Sequence, residues 1–209
     1  ATAVVFFRRG LGRESFGDSP RLVLLAAIVR TRQFWLLSLF FGIAAGASIG
    51  SFSMMPLYLI TEHGYARETA NTLVSAARIS GLFMTLAAGY ATDRLGAKTT
   101  LRLYFTSCAV LTGLYGLTSG PLLLAVIFLQ SAAATCFFAP GFTMLSRAFA
   151  GPSQNVATSV IALCATVIGQ GLVPAMLGAA GSAGDFGVGF LILGGLLMVC
   201  LSLLRWLPG

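Results

Sequence analysis

Apolar residues in this chain come in long runs rather than in alternation. Six runs are long enough to cross a bilayer as helices, because about 20 residues rising ~1.5 Å each span a ~30 Å hydrocarbon core. They are Phe34–Met54, Ala70–Ala91, Leu101–Thr118, Pro121–Phe142, Val156–Ala179 and Phe186–Leu204. In hydrocarbon every backbone group must be paired within its own segment or in a closed barrel, and runs without a period of two select helices. A seventh run, Leu22–Val29, is too short to cross. The preceding Asp18-Ser19-Pro20 is a helix-start signature, a capping side chain followed by proline in the first turn. That run therefore reads as an interfacial helix or as the foot of the first span.

Composition agrees with the pattern. The chain is 57% hydrophobic and 9% charged, with a mean hydropathy of +0.90, so a water-soluble fold of this size is excluded and the lipid bilayer is its solvent. The links between runs are too short to fold as a catalytic domain, and no enzyme is expected. An intramembrane serine protease needs a buried Ser–His pair, whereas the single histidine, His63, falls in a link beside Glu62 and reads as a surface residue. Cys108, Cys136, Cys164 and Cys200 lie in four different runs without metal-ligand spacing. They read as small buried apolar residues, and nothing calls for a metal or cofactor.

Charge sets an orientation. With the N-terminal segment in the cytoplasm, that side collects Arg8, Arg9, Arg13, Arg21, Arg30, Arg32, Arg94, Lys98, Arg102, Arg147 and Arg205, eleven of the 13 basic residues. The other side holds Arg67 together with Glu62, Glu68 and Asp185, and Arg78 lies within a run. This is a strong positive-inside signal. The net charge of +7 is thus a topology signal, and no nucleic acid is called for as partner. Residues 1–7, apolar and followed at once by Arg8 and Arg9, read as the end of a preceding transmembrane helix. Residues 8–32 then form a cytoplasmic linker and 33–209 a six-helix bundle, both ends of the chain being cytoplasmic in a bacterial-type inner membrane.

Within the runs, glycines gather at Gly42, Gly46 and Gly50 and at Gly169, Gly171 and Gly178, spacings that allow close helix approach. Pro56, Pro140 and Pro174 fall inside runs or near their ends, where they can kink helices.

Two features carry candidate chemistry. The first is Gly89-Tyr-Ala-Thr-Asp93-Arg94-Leu-Gly96-Ala-Lys98, a charge-dense, glycine-bounded link between two spans. It places Asp93 just past a helix C-terminus, where a carboxylate faces unpaired carbonyls and needs a compensating partner, with Arg94 and Lys98 within reach. The second is Arg78. It precedes Gly89 by eleven residues, roughly 16 Å of helix, and so lies near the bilayer midplane. A guanidinium there costs at least ~2.5 kcal/mol unless compensated, and none of the six acidic residues lies in a span. Asn71, Ser75, Arg78, Leu82, Thr85, Gly89 and Thr92 share one helical face, polar or small except at Leu82, while Leu73, Ala77, Phe83, Leu86 and Ala87 form an apolar one. Arg78 is accordingly a candidate substrate site, with a structural ion pair as the competing reading.

The link motif, six spans and an arginine-rich preceding segment resemble the C-terminal half of a major facilitator superfamily transporter. That family's cytoplasmic signature reads G-x-x-x-D-R-x-G-R-[KR], matched here by Gly89, Asp93, Arg94, Gly96 and Lys98, while Ala97 stands where the family has a basic residue. The resemblance implies an all-α membrane fold, half of a twelve-helix architecture. It implies a small-molecule substrate moved by alternating access through a central cavity, and a missing N-terminal six-helix half as partner. It makes the motif a gate, and it places Gln130 and Gln170, with Asn71 and Arg78, on cavity-lining helices; for the two glutamines, interhelical hydrogen bonding is the equal alternative. A small organic or inorganic anion is the candidate cargo of a secondary transporter. The alternatives are a non-transporting membrane sensor or a half-size, channel-like subunit on the same scaffold. Proton-coupled members usually carry a membrane-embedded carboxylate or histidine, and these spans have neither.

Overall fold

The computed structural model of the chain describes residues 22–207, which form helices and turns with no strand among them. The proposed end of a preceding helix, the Asp18-Ser19-Pro20 start signal and most of the linker lie outside the described residues. A short helix, α1 (Leu22–Val29), leads through a turn at Arg30 into α2 (Arg32–Thr61). Thr31 caps α2 by accepting the Phe34 N–H at 3.3 Å, and the Trp35 indole N–H donates back to the Val29 carbonyl at 2.9 Å. The run Leu22–Val29 is thus a separate helix at the foot of the first crossing. After α2 come α3 (Arg67–Leu95), α4 (Ala97–Tyr115), α5 (Gly120–Ala148), α6 (Ser153–Ser182) and α7 (Phe186–Trp206).

Six long helices therefore stand where six spans are expected. Five are both long and apolar enough to cross a membrane. The sixth, α4, misses that measure because Lys98 and Arg102 occupy its first two turns.

The helices alternate in direction, and contacts at the two ends show it. At one end the Tyr58 hydroxyl donates to the Tyr115 carbonyl, and the Phe186 N–H donates to Glu62. Asp185 caps α7 by accepting the Val188 N–H at 3.1 Å. At the other end Lys98 Nζ donates to the Leu207 carbonyl at 2.6 Å, and the Arg32 guanidinium lies 4.0 Å from the Trp206 ring centre. Arg94, Lys98, Arg102, Arg147 and Arg205 all belong to this second end, so the charge asymmetry read from sequence is a property of the folded bundle.

Burial is uneven. The most apolar stretch of α2 is 78% buried, against 22% for α3 and α6. Helix α2 is the axis of the bundle, and α3 and α6 present most of their surface outward. Glycine spacing makes α2 central: a side chain at Gly42 would meet Ile168, and one at Gly46 would meet Val173. At Gly50 it would lie 2.5 Å from the Gly169 carbonyl, and at Gly169, 2.5 Å from Ala45 Cβ. Gly171 and Gly178, in contrast, have nothing within 4 Å, so only part of the second glycine cluster is a packing device. A comparable seam joins α4 to α7, where a side chain at Gly116 would clash with the Gly187 backbone.

Irregular turns accompany each proline. Helix α2 widens into a π turn at Gly46–Gly50 before Pro56. Helix α5 tightens into a 3₁₀ turn at Thr135–Phe137 just before Pro140, and α6 widens at Val167–Leu172 just before Pro174. Proline lacks an N–H and its ring crowds the carbonyl four residues back; for Pro140 and Pro174 these are Cys136 and Gln170, inside the irregular turns.

Candidate functional site

Helix α3 carries three stripes, each rotated by one residue. Ala70, Val74, Ala77, Gly81 and Ala88 are buried against the bundle, where Thr135 donates to the Gly81 carbonyl at 3.1 Å and Ser80 to Phe128 at 3.1 Å. One residue on, Asn71, Ser75, Arg78, Leu82 and Thr85 are exposed. A further residue round, Ile79, Phe83, Leu86 and Tyr90 form an exposed apolar stripe, Phe83 at 72% and Leu86 at 77%. The last stripe suits lipid. The polar one does not, and it contains the arginine.

The Arg78 guanidinium carbon sits 5.1 Å from the ring centre of Phe52 on α2. A cation–π contact offers ~0.5–2 kcal/mol, less than the insertion cost at that depth. Arg78 is eleven residues from the start of α3 and 17 from its end at Leu95, so it lies about one turn from the helix midpoint. Nearer that start, Ser53, Pro56, Leu57 and Ile60 of α2 face Arg67 and Asn71 of α3 across a cavity of about 440 Å³. Arg67, Asn71 and Arg78 share one face at steps of four and seven. Phe52, Ser53 and Arg67 escaped the reading of the sequence, although extending the polar stripe back four residues from Asn71 reaches Arg67.

Gln130 stands in a different environment. It is fully buried, its Nε2 donating to the Ala47 carbonyl at 2.8 Å and to Thr112 Oγ1 at 3.4 Å. Its Oε1 accepts the Tyr115 hydroxyl at 3.0 Å. Ala47 lies in the π turn of α2, where the widened helix changes its own hydrogen-bond pattern, and the amide reaches in from α5 to pair with the carbonyl. The side chain joins α2, α4 and α5, and both amide hydrogens are engaged. Gln170 is exposed in the π turn of α6. The structure thus gathers Asn71 and Arg78 on one stripe and leaves Gln130 in the packed interior.

The charged motif is less of a loop than the sequence suggests. Helix α3 continues to Leu95 and α4 begins at Ala97, so Gly96 alone makes the link, at φ +83°. Only glycine takes that conformation without strain. Asp93 therefore lies in the last turn of α3 rather than beyond it, because the helix needs no break until Gly96. It is exposed. Its two expected partners are turned elsewhere: Arg94 lies 5.5 Å from the Tyr90 ring centre, and Lys98 holds Leu207. Gly89 has open space around its Cα. His63 also departs from expectation, being half-buried with its ring edge-on to Tyr58 at 4.8 Å.

Long apolar helices packed antiparallel, with a polar stripe exposed at mid-depth, define an integral membrane protein of the transporter class. The model of the Major Facilitator Superfamily matches residues 2–121 and 37–209, and the chain belongs to that family. Family members are membrane transporters of small molecules rather than enzymes. No curated protein matches the chain.

Proposed function

We propose that this chain is one six-helix half of a secondary transporter that moves a small anionic solute by alternating access, with Arg78 as the anchor. The observation that carries this is an arginine near mid-helix, exposed from its own half and held there only by the Phe52 ring among the contacts described. A guanidinium offers a planar fork that fits carboxylate or phosphate with two parallel hydrogen bonds. Asn71 on the same stripe, and Gln170 on the outward-facing α6, are the further polar groups of the cavity wall. The exposed surfaces of α3 and α6 are where the other six-helix half packs.

In this account the basic end of the bundle faces the cytoplasm in an inner membrane. There Gly89, Asp93, Arg94 and Gly96 gate against the other half, while Lys98 fastens α4 to the C-terminal turn of α7. Asp93, exposed at a helix C-terminus, gains from a positive partner supplied by that half.

The test is uptake of a panel of carboxylates and phosphates into liposomes holding the full-length protein. Arg78→Ala should abolish uptake of the anion while protein in the membrane stays at the parental level. Uptake of cations alone, or unimpaired anion uptake in Arg78→Ala, would refute the reading. In the same preparation, single cysteines replacing Glu62 should label from outside and ones replacing Lys98 should not.

A further inference from the structure

The cavity at the start of α3 is a second place where an anion would be held. Its α2 wall is Ser53, Pro56, Leu57 and Ile60, and its α3 wall is Arg67 and Asn71. Three independent features make it attract negative charge. Arg67 and Asn71 are both exposed into open space on the same helical face as Arg78, so the guanidinium and amide donors of the stripe point the same way. Helix α3 begins here with Ala66 as its cap, and no side-chain oxygen satisfies the first-turn N–H groups. Of the nearby carboxylates, Glu62 is occupied by the Phe186 N–H and Asp185 by the Val188 N–H, and Glu68, exposed one residue further round α3, is not part of the cavity wall.

The volume of about 440 Å³ suits a small solute of a few heavy atoms with its water. Arg67 and Arg78 are eleven residues apart, roughly 16 Å along the helix. That separation is too long for one small anion to bridge and short enough for a handover.

We propose that Arg67 and Asn71 form an outer station that takes a carboxylate or phosphate group from solution before it reaches Arg78. The station rests on the anion reading of Arg78 for its purpose, but its binding is measurable without transport. A phosphate could also come from a lipid headgroup, since the site lies at the end of a membrane helix, and the test separates the two sources.

The experiment uses the full-length protein, free of other reactive cysteines, in phosphatidylcholine liposomes with Asn71→Cys as the reporter. The readout is the labelling rate by an anionic against a cationic methanethiosulfonate of similar size. The station requires the anionic reagent to be favoured at least about five-fold, and Arg67→Gln to bring the ratio near one. Succinate or inorganic phosphate at millimolar concentration should slow labelling of the reporter thiol, and should still do so in an Arg78→Gln background where uptake is lost. That last arm separates the two readings, because protection that survives loss of uptake belongs to the station alone. Absence of anion preference, or a preference indifferent to Arg67→Gln, would overturn the proposal. So would a preference without protection by either anion, or protection that appears only when phosphatidylglycerol is added to the liposomes, which would assign the pocket to lipid.

Discussion

Gln130 and Arg78 are both polar groups in the apolar depth of the bundle, yet they are treated in opposite ways. Gln130 is wrapped by three helices and has a partner for every hydrogen it can donate. Arg78 is turned out of the bundle, with an aromatic ring beneath it. Burying an amide is tolerable only when its hydrogen bonds are complete, and here they are complete inside this half. Burying a guanidinium demands a negative partner, and the spans of this half hold no carboxylate. A polar residue that its own half satisfies is architecture, whereas one that it leaves exposed is addressed to something else.

The comparison can be broken from either side. The largest effect on stability is expected at the satisfied pole. Gln130→Leu leaves the Ala47 carbonyl and the Tyr115 hydroxyl buried without this partner, which costs about 1–3 kcal/mol. Thermal unfolding in detergent should register that loss, while the apparent affinity for solute in surviving protein stays unchanged. A shift in affinity without loss of stability would place Gln130 at the site instead. A slightly smaller penalty of about 1–2 kcal/mol is expected for Gly169→Ala, whose new methyl meets Ala45 and backbone of α2. Gly178→Ala, in open space, should be neutral or gain a few tenths from helix propensity. Equal effects at the two glycines would contradict the α2–α6 seam. Smallest in stability is Asp93→Asn, with a change of melting behaviour too small to resolve and a roughly ten-fold drop in uptake rate through the gating equilibrium, about 1.4 kcal/mol. Normal uptake in that variant would reduce the motif to a turn.

The fold was legible because membrane helices announce themselves by length and apolarity, and the charge asymmetry survives as a real difference between the two ends. What sequence could not show is which face of a helix packs. Gln130 and Gln170 look alike as isolated polar residues in apolar runs, and only the arrangement of α2, α4 and α5 separates a closed amide from an exposed one. The polar stripe of α3 was readable from its period. Its continuation to Arg67 was obscured because a basic residue at the helix start reads as part of a link. Asp93 was placed one turn too far along, since five polar or small residues in a row resemble a loop while a single positive-φ glycine suffices to reverse the chain.

The central claim is that Arg78 grips an anion through its fork, and Arg78→Lys tests it most directly. Lysine keeps the charge and most of the length but offers a point charge where arginine offers two parallel donors. Initial-rate uptake across substrate concentrations should show apparent affinity weakened at least ten-fold with the amount of folded protein unchanged. Unaltered affinity in Arg78→Lys would contradict the account. So would full uptake when both Arg78 and an acidic residue of the other half are neutralised together, because that result assigns Arg78 to an ion pair between the halves.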